Sequence, residues 1–163
     1  MSDVLTQERL KERLHYNPET GVFTRVKTVR NAVKVGDVAG TIDHYGYRKI
    51  QIGGKIYSAH RLAWLYVHGV WPANQIDHIN GTRDDNCFAN LREATIGENQ
   101  HNRRNARSDN KSGFLGVSPD YGKYRAQIGH HGKKIYLGAF LTPELAHSAY
   151  VEAKRKIHQF STI

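Results

Sequence analysis

The stretch IDHINGTRDDNCFANL, residues 76–91, decides how this chain is read. It places Asp77 and His78 between two isoleucines, and β-branched flanks of this kind are typical of a strand. Burying an ionisable group is unfavourable unless the group is paired or coordinated. We therefore predict that these two polar side chains are paired with, or coordinate, another group, and we interpret the stretch first as a functional site.

Strand and turn signals surround the two residues. Ile76–Ile79 predicts a strand, Asn80-Gly81 predicts a turn, and FANLREA (88–94) predicts a returning strand. A hairpin-like pair of strands is therefore expected, with a polar loop between them.

A helix is expected directly after the second strand. Thr95 and Glu98 have capping-box spacing, so Thr95 is predicted to be the N-cap of a helix that continues through Arg104. Residues 74–104 are thus expected to form a compact ββα unit.

The residues before this unit predict short strands between two helices. LTQERLKERLHY (5–16) predicts a short first helix, and a second helix is expected from Ser58 to Gly69. Between them lie four strand-like stretches separated by glycines, namely VFTRV, GDVAGTID, YGYRKIQI and KIYSAHR.

A second folded unit is expected after a polar tether. Residues 105–112 contain no apolar residue larger than alanine, so we predict a linker between one domain over 1–104 and another over 113–163. In the latter, GFLGV, YRAQIG and KIYLGAF predict three strands, and Thr142-Pro143 begins a helix. The predicted fold class is α+β, with a β-rich N-terminal region, a ββα core and a small three-stranded sheet packed on one helix.

The charge is concentrated at the C-terminal end. Residues 1–100 carry 13 Lys or Arg against 11 Asp or Glu, a net of +2, whereas residues 101–163 carry 11 against 4, a net of +7. This excess favours a polyanionic partner about as strongly as a merely solvated basic surface. Cys87 is the only thiol, which excludes an internal disulfide and a CxxC zinc framework. The sequence contains no apolar stretch long enough for a membrane span, and we expect a cytoplasmic protein.

The polar residues of the ββα unit suggest metal-assisted hydrolysis. Asp77 and Asn99 offer hard oxygen ligands that suit Mg²⁺ or Mn²⁺, and a neutral His78 could deprotonate a water. Asn90 could fix the imidazole or the loop. Structural interpretations stay open, because a lone His is more often structural, Asn86 and Asn90 could make Asx turns, and Asn99 could be an exposed helical residue.

The stretch IDHINGTRDDNCFANLREATIGENQHN (76–102) resembles the phage-type branch of the HNH homing endonucleases. The resemblance implies a ββα-metal (His-Me finger) core in which Asp77 and Asn99 bind the divalent metal, His78 is the general base and Asn90 braces the loop. Another branch of the family often has a further His where this chain has Arg103, which favours a two-ligand Mg²⁺ or Mn²⁺ site over a zinc site.

The same resemblance extends upstream and suggests contacts with DNA. It covers residues 10–104, and it implies that hairpin residues approach DNA, although helix-start polarity without a ligand explains His60 and Arg61 equally well. The residues with such candidate contacts are Lys49, Lys55, His60, Arg61, Arg83, Asn86, Arg103 and Arg104.

The C-terminal sequence resembles the Apetala-2 or ethylene-response-factor DNA-binding domain of plants, through GV, GKY-A-I, LG-F and T-E-A-A-Y in that order. That domain lays a three-stranded sheet in the major groove. Strand alternation predicts Arg125 and Gln127 on the face opposite Ala126 and Ile128. The candidate DNA contacts are Lys123, Arg125, Gln127, Lys133, Lys134 and Tyr136. Ser118 stands where the plant pattern has Arg, so plant target specificity is not expected.

These observations predict an enzyme: a metal-dependent HNH endonuclease of homing type that nicks double-stranded DNA as a monomer, encoded by a phage or mobile element. Two alternatives remain from the sequence. One is a non-catalytic DNA-binding regulator with a degenerate nuclease unit, and the other is a protein directed at RNA.

Overall fold

The computed structural model describes residues 4–28, 33–102, 105–130 and 132–158. The chain divides into two compact units, Met1–Ile96 and Gly97–Ile163. The strands pair antiparallel in small sheets of two or three, which confirms the predicted α+β class. No helix in the described ranges is long and apolar enough to cross a membrane.

The first unit begins with a short helix and two small sheets. Thr6 caps the first helix by accepting a hydrogen bond from the backbone N–H of Arg9. The predicted first helix ends earlier than expected, because Leu14 belongs to the first strand, where it pairs with Arg25. The elements are α1 (Gln7–Lys11), β1 (Leu14–Tyr16), β2 (Phe23–Arg25), β3 (Thr41–Ile42), β4 (Arg48–Ile52), β5 (Lys55–Ser58) and α2 (Ala59–His68).

Helix α2 and the β3–β4–β5 sheet cover one apolar core. Gly69 ends α2 in the left-handed conformation with φ of +77°, as the sequence predicts. Leu62 and Leu65 of α2 are buried in the same core as Ile50 and Phe23. This core supports the polar segment that follows α2.

The ββα elements follow in the predicted order. Strands β6 (Gln75–His78) and β7 (Leu91–Ala94) form a two-stranded sheet, and helix α3 (Ile96–His101) comes next in the chain. The prediction of strand over FAN was wrong: Phe88–Asn90 is a 3-10 turn, closed by the Asn90 N–H donating to the Cys87 carbonyl. The predicted end of the helix lies outside the described residues, which stop at 102 before Arg103 and Arg104.

The second unit contains a three-stranded sheet and one long helix, as predicted. The sheet has the order β10-β9-β8, and Thr142 caps the helix by accepting from the N–H of Leu145. The first strand starts later than GFLGV predicted, because Asn110 and Ser112 hold the preceding turn through the carbonyls of Phe114 and Val117. The elements are β8 (Val117–Asp120), β9 (Lys123–His130), β10 (Lys133–Phe140) and α4 (Pro143–Ile157).

Candidate functional site

Asp77 and His78 are the last two residues of β6. In the antiparallel ladder Asp77 lies opposite Arg92 and His78 lies opposite Leu91. Both side chains are buried, with relative exposures of 7% and 4%. Successive side chains of a strand point to opposite faces, so the carboxylate and the imidazole leave the ladder on different sides. The chain turns immediately after His78, whose carbonyl accepts from the Gly81 N–H.

Arg92 neutralises the Asp77 carboxylate. Its Nε and Nη2 both donate to Oδ2 of Asp77, at 3.0 and 2.8 Å. A carboxylate this deeply buried requires such a partner. We did not single out Arg92 from the sequence, although the antiparallel register places it directly across the ladder and could have identified it.

Asn86 contacts the His78 imidazole. Nε2 of His78 lies 3.3 Å from Oδ1 of Asn86, while Nδ2 of Asn86 donates to the Asp84 carbonyl at 3.0 Å. Because the amide nitrogen serves a carbonyl acceptor, the amide oxygen faces the ring and accepts from Nε2–H. This tautomer leaves the lone pair on Nδ1, which is the ring nitrogen able to take a proton.

The environment keeps His78 neutral at neutral pH. Burial is the largest influence and lowers the pKa of His78 below its ordinary value, while the Asn86 bond and the Asp77 and Asp85 carboxylates act in the opposite direction. A neutral imidazole is the form that can accept a proton from water.

Asn90 ties together the loop between the strands. Its Oδ1 accepts from the Asn80 N–H at 2.9 Å, and its Nδ2 donates to the Asp85 carbonyl at 2.8 Å. Both bonds lie within the loop, and a bracing role of Asn90 in the reaction stays a prediction. The imidazole itself is contacted by Asn86, for which we expected only a support or DNA-contact role.

The loop is also anchored to the preceding strands. Asn86 is 1% exposed, and its carbonyl accepts from the Tyr16 hydroxyl at 2.7 Å. Gly21, with φ of +71°, packs so closely on the Asn86 backbone that a Cβ would collide with it. Arg48 forms two hydrogen bonds to Asp84, both at 3.0 Å. These contacts fix the peptide that carries the His78 partner.

An aromatic cluster lies around the imidazole. The ring of His78 is 5.1 Å from that of His60 and 6.0 Å from that of Tyr47, measured between centroids. The guanidinium of Arg83 lies over the Tyr47 ring, 5.1 Å from its centroid. Arg83 also donates a hydrogen bond to the Tyr45 carbonyl at 2.7 Å. His60 is only 9% exposed, so the expectation that it approaches DNA from a hairpin is corrected: it belongs to the interior beside His78.

The remaining upstream candidates have local partners or stay exposed. Nζ of Lys49 donates to the Ser58 hydroxyl at 2.8 Å, and Arg61 donates to the Asn74 carbonyl at 3.2 Å. Lys55 is exposed on β5. Asn99 lies on α3, as predicted for the helix after β7, and belongs to the second compact unit.

The outer face of the C-terminal sheet collects most of the predicted DNA contacts. Ala126 and Ile128 are buried towards α4, so alternation places Arg125 and Gln127 on the opposite face. The register puts Tyr136 beside Gln127, and Tyr136 is 62% exposed. The members of this face are Ser118, Asp120, Lys123, Arg125, Gln127, Lys134 and Tyr136.

Two residues of this sheet differ from expectation. Lys133 alternates with Lys134 and pairs with His130, so it lies on the helix side of the sheet and not with the other candidates. Arg125 is held by Asp120, with Nε donating to Oδ2 at 3.0 Å and Nη2 lying 2.8 Å from Oδ1. The strongest candidate for reading bases is therefore compensated by a carboxylate on its own face.

Comparison with known proteins gives a match to one part of the chain. A family model described as HNH endonuclease matches residues 57–101. A search of curated proteins found no match. Among solved structures, the chain is similar to one described as "DNA binding and cleavage by the HNH homing endonuclease I-HmuI", with a TM-score of 0.43 and 27% identity.

That similarity covers 55% of this chain and 51% of the other chain, so this chain spans about half the length of that protein. The family match falls on the segment whose geometry is described above. Residues 57–101 therefore match the HNH endonuclease family, and this segment contains Asp77, His78, Asn90 and Asn99.

Proposed function

We propose that the chain is a metal-dependent DNA endonuclease of homing type. The observation that carries the proposal is the buried His78 imidazole, whose Nε2 is held by Asn86, at the end of the strand that also carries the buried Asp77. This arrangement lies inside the segment that matches HNH endonucleases. It supports phosphodiester hydrolysis, which a fixed, neutral general base accelerates by typically about 10²–10⁴-fold.

In the proposed reaction, Nδ1 of His78 takes a proton from the attacking water. The Nε2–H bond to Asn86 holds the tautomer that makes Nδ1 basic, and Asn90 keeps the loop that carries Asn86 in place. The scissile bond breaks to leave a 5′-phosphate and a 3′-hydroxyl. One such core cuts one strand, so a monomer is expected to nick.

The donor set fits a hard divalent cation. Asp77 supplies a buried carboxylate and Asn99 supplies an amide oxygen, and these two residues would hold Mg²⁺ or Mn²⁺. Among the described residues, no group of three or more His, Cys, Asp or Glu side chains could hold a metal ion. The cation would supply Lewis-acid stabilisation of the charge on the phosphate and the leaving oxygen.

The second unit is proposed to bind double-stranded DNA in the manner of the plant domain that it resembles. Its outer face presents Arg125 and Gln127 for base edges, with Lys123 and Lys134 for phosphates and Tyr136 for apolar contact. Arg103 and Arg104 are proposed to contact phosphates. The whole protein would act in the cytoplasm of a bacterial host, encoded by a phage or mobile element.

The test is a cleavage assay on supercoiled and linear DNA of candidate hosts and phages, with Mg²⁺, with Mn²⁺ and with chelator. We expect nicked circles that require the metal, no cleavage by Asp77→Ala or His78→Ala, and DNA affinity close to the parent's in both variants. Chelator-resistant cleavage, or a fully active Asp77→Ala variant, would rule out this site.

A second candidate function is a DNA-binding regulator without nuclease activity. The observation that favours it is the Asp77–Arg92 ion pair, because a carboxylate satisfied by arginine needs no metal for structural reasons. Tight, site-specific DNA binding without metal-dependent cleavage of any substrate in the same assay would support this alternative.

A further inference from the structure

His60 is a buried titratable residue for which the proposed chemistry has no use. It lies in the first turn of α2 and is 9% exposed. Its Nδ1 is buried and has no hydrogen-bond partner among the described residues. A buried polar atom without a partner is unfavourable. An apolar ring would therefore suit the interior better if this side chain only filled space.

The neighbours of His60 indicate a more specific role. Its ring meets that of His78 edge to face, at 5.1 Å and 82°. The Tyr47 ring lies 5.4 Å from His60 and 6.0 Å from His78, so the three rings form one cluster. Edge-to-face contacts are directional, because the positive edge of one ring meets the negative face of another.

The His78 imidazole has ring contacts besides its hydrogen bond to Asn86. The 3.3 Å contact with Asn86 sets the direction of Nε2–H, and the orientation of the ring plane decides where Nδ1 points. A neighbouring ring packed edge to face favours one orientation of that plane. The His60 ring, at 5.1 Å between centroids, lies closer to His78 than the Tyr47 ring, at 6.0 Å.

From these contacts we propose that His60 is a positioning residue, whose ring holds the plane of the His78 imidazole and so directs Nδ1. The inference rests on the proposed function, because it assigns His60 a part in that reaction. The charge of His60 is consistent with this role. Burial, followed by the proximity of His78, Lys49 and Arg61, lowers the pKa of His60 to about 3, so the ring stays neutral beside His78.

The experiment compares His60→Leu and His60→Phe with the parent, in the full chain. Leucine fills a similar volume without a planar ring, whereas phenylalanine keeps the ring and removes both nitrogens. His68→Leu is the control, because His68 lies on the same helix but contacts Trp64 and Phe88. Single-turnover nicking rates, the dissociation constant for DNA and NMR of the isotope-labelled His78 ring are measured for each.

We expect His60→Leu to slow nicking by about 10- to 100-fold with unchanged DNA affinity, because small misplacements of a reacting group have effects of this size. The nicking rate of His60→Phe should stay within about threefold of the parent's, because phenylalanine keeps a planar ring beside His78. The His78 ring resonances should broaden in His60→Leu and stay sharp in His60→Phe and His68→Leu. Thermal unfolding verifies that each variant folds, and His60→Met replaces the leucine variant if that one does not.

Two results would overturn the inference. The first is a parental rate with a sharp His78 ring in His60→Leu. The second is an equal loss in the leucine and phenylalanine variants, which would assign the role to a nitrogen and not to the ring. If the parent cleaves no DNA and the His78 ring still loses order in His60→Leu alone, the nuclease function fails while the positioning contact stands.

Discussion

Arg92 reaches across the β6–β7 ladder to Asp77, and both its Nε and its Nη2 donate to the same carboxylate oxygen, Oδ2. The residue proposed to hold the metal is thus already charge-compensated. A cation bound there must share the carboxylate with the guanidinium. This sharing lowers the negative charge available to the cation and predicts that Arg92 weakens metal binding while it stabilises the apo fold.

Replacing Arg92 should therefore have opposite effects on these two properties. In Arg92→Ala the buried Asp77 loses a charged partner, so we expect the free energy of unfolding without metal to fall by about 1–3 kcal/mol. Mg²⁺ should then stabilise the variant more than it stabilises the parent, because the competing guanidinium is gone. Urea unfolding with and without Mg²⁺ measures both effects.

The double variant Asp77→Asn, Arg92→Ala is the control for this prediction. It removes the buried charge together with its partner, so it should be less destabilised than Arg92→Ala alone. Equal destabilisation of the single and the double variant would mean that the Asp77 charge left without Arg92 is not what destabilises Arg92→Ala, and the shared-carboxylate argument would then fail.

Asn86 and Asn90 should differ in their effect on the reaction. Asn86→Ala removes the acceptor of Nε2–H, so both neutral tautomers of His78 become available. A smaller fraction of the protein then has a basic Nδ1, and part of the general-base contribution, typically about 10²–10⁴-fold in rate, is lost. Asn90→Ala loosens only the loop. We expect the larger fall in the single-turnover nicking rate for Asn86→Ala, at similar DNA affinity.

Each asparagine variant is the matched control of the other, because both remove one amide that bonds the same loop. Their unfolding free energies, measured in parallel, separate lost stability from lost chemistry. A rate in Asn90→Ala as low as that in Asn86→Ala would show that the loop as a whole, and not the imidazole bond, sets the rate.

Local sequence patterns predicted the helices and strands of the site. They did not predict contacts between residues that are distant in the sequence. Hydrophobic spacing and turn residues indicated β6 and α2, because those signals act over a few residues. Asn86 is placed beside His78 partly by a distant contact, because the hydroxyl of Tyr16, 70 residues away in the sequence, donates to its carbonyl. His60 was expected near DNA, since nothing local indicates that the β3–β5 sheet and α2 enclose it.

Alternation of side chains along the strand correctly predicted the two faces of β9 in the C-terminal sheet. It placed Arg125 and Gln127 on one face, and in the structure Ala126 between them is buried on the other. The face of Lys133 was not evident from the sequence because it depends on the register of β10 against β9. The pairing of Arg125 with Asp120 likewise requires knowledge of which residues lie together across β8 and β9.

Acid should destabilise the fold through His60. The folded-state pKa of His60 is about 3, below the ordinary value of 6.5, so between these pH values the unfolded chain binds more protons than the folded one. The contribution of His60 is therefore fully present above pH 6.5 and is lost as the pH falls towards 3, with a slope approaching about 1.4 kcal/mol per pH unit.

Chemical denaturation of the parent and of His60→Phe across this pH range tests the sign. Phenylalanine cannot be protonated, so the difference in unfolding free energy between the two proteins should change steadily in favour of the variant as the pH falls from 6.5. A constant difference over the range would show that His60 titrates alike in the folded and unfolded chains.

The ion pair of Asp120 with Arg125 should restrain DNA binding by the second unit. Asp120→Asn removes a negative charge from the proposed DNA-binding face and releases the guanidinium. We expect tighter binding to all sequences at low salt, and a salt dependence that is steeper by up to about 0.9 in log K against log [salt] if Arg125 then contacts a phosphate. Fluorescence anisotropy on a cleaved site and on scrambled DNA gives both quantities, and weaker binding by Asp120→Asn would contradict the assignment of this face.

The two adjacent lysines of β10 provide a test of which side of the sheet meets DNA. Lys134 lies on the face with Gln127 and Tyr136, whereas Lys133 lies on the helix side, and both are exposed. Each alanine variant removes one positive charge at nearly the same place, so their long-range effects on DNA should be alike. A direct phosphate contact differs, because its loss flattens the plot of log K against log [salt] by about 0.9. Lys134→Ala should therefore reduce the salt slope clearly more than Lys133→Ala, with similar losses on specific and scrambled DNA, while equal slopes for the two variants would exclude the outer face as the one that binds the backbone.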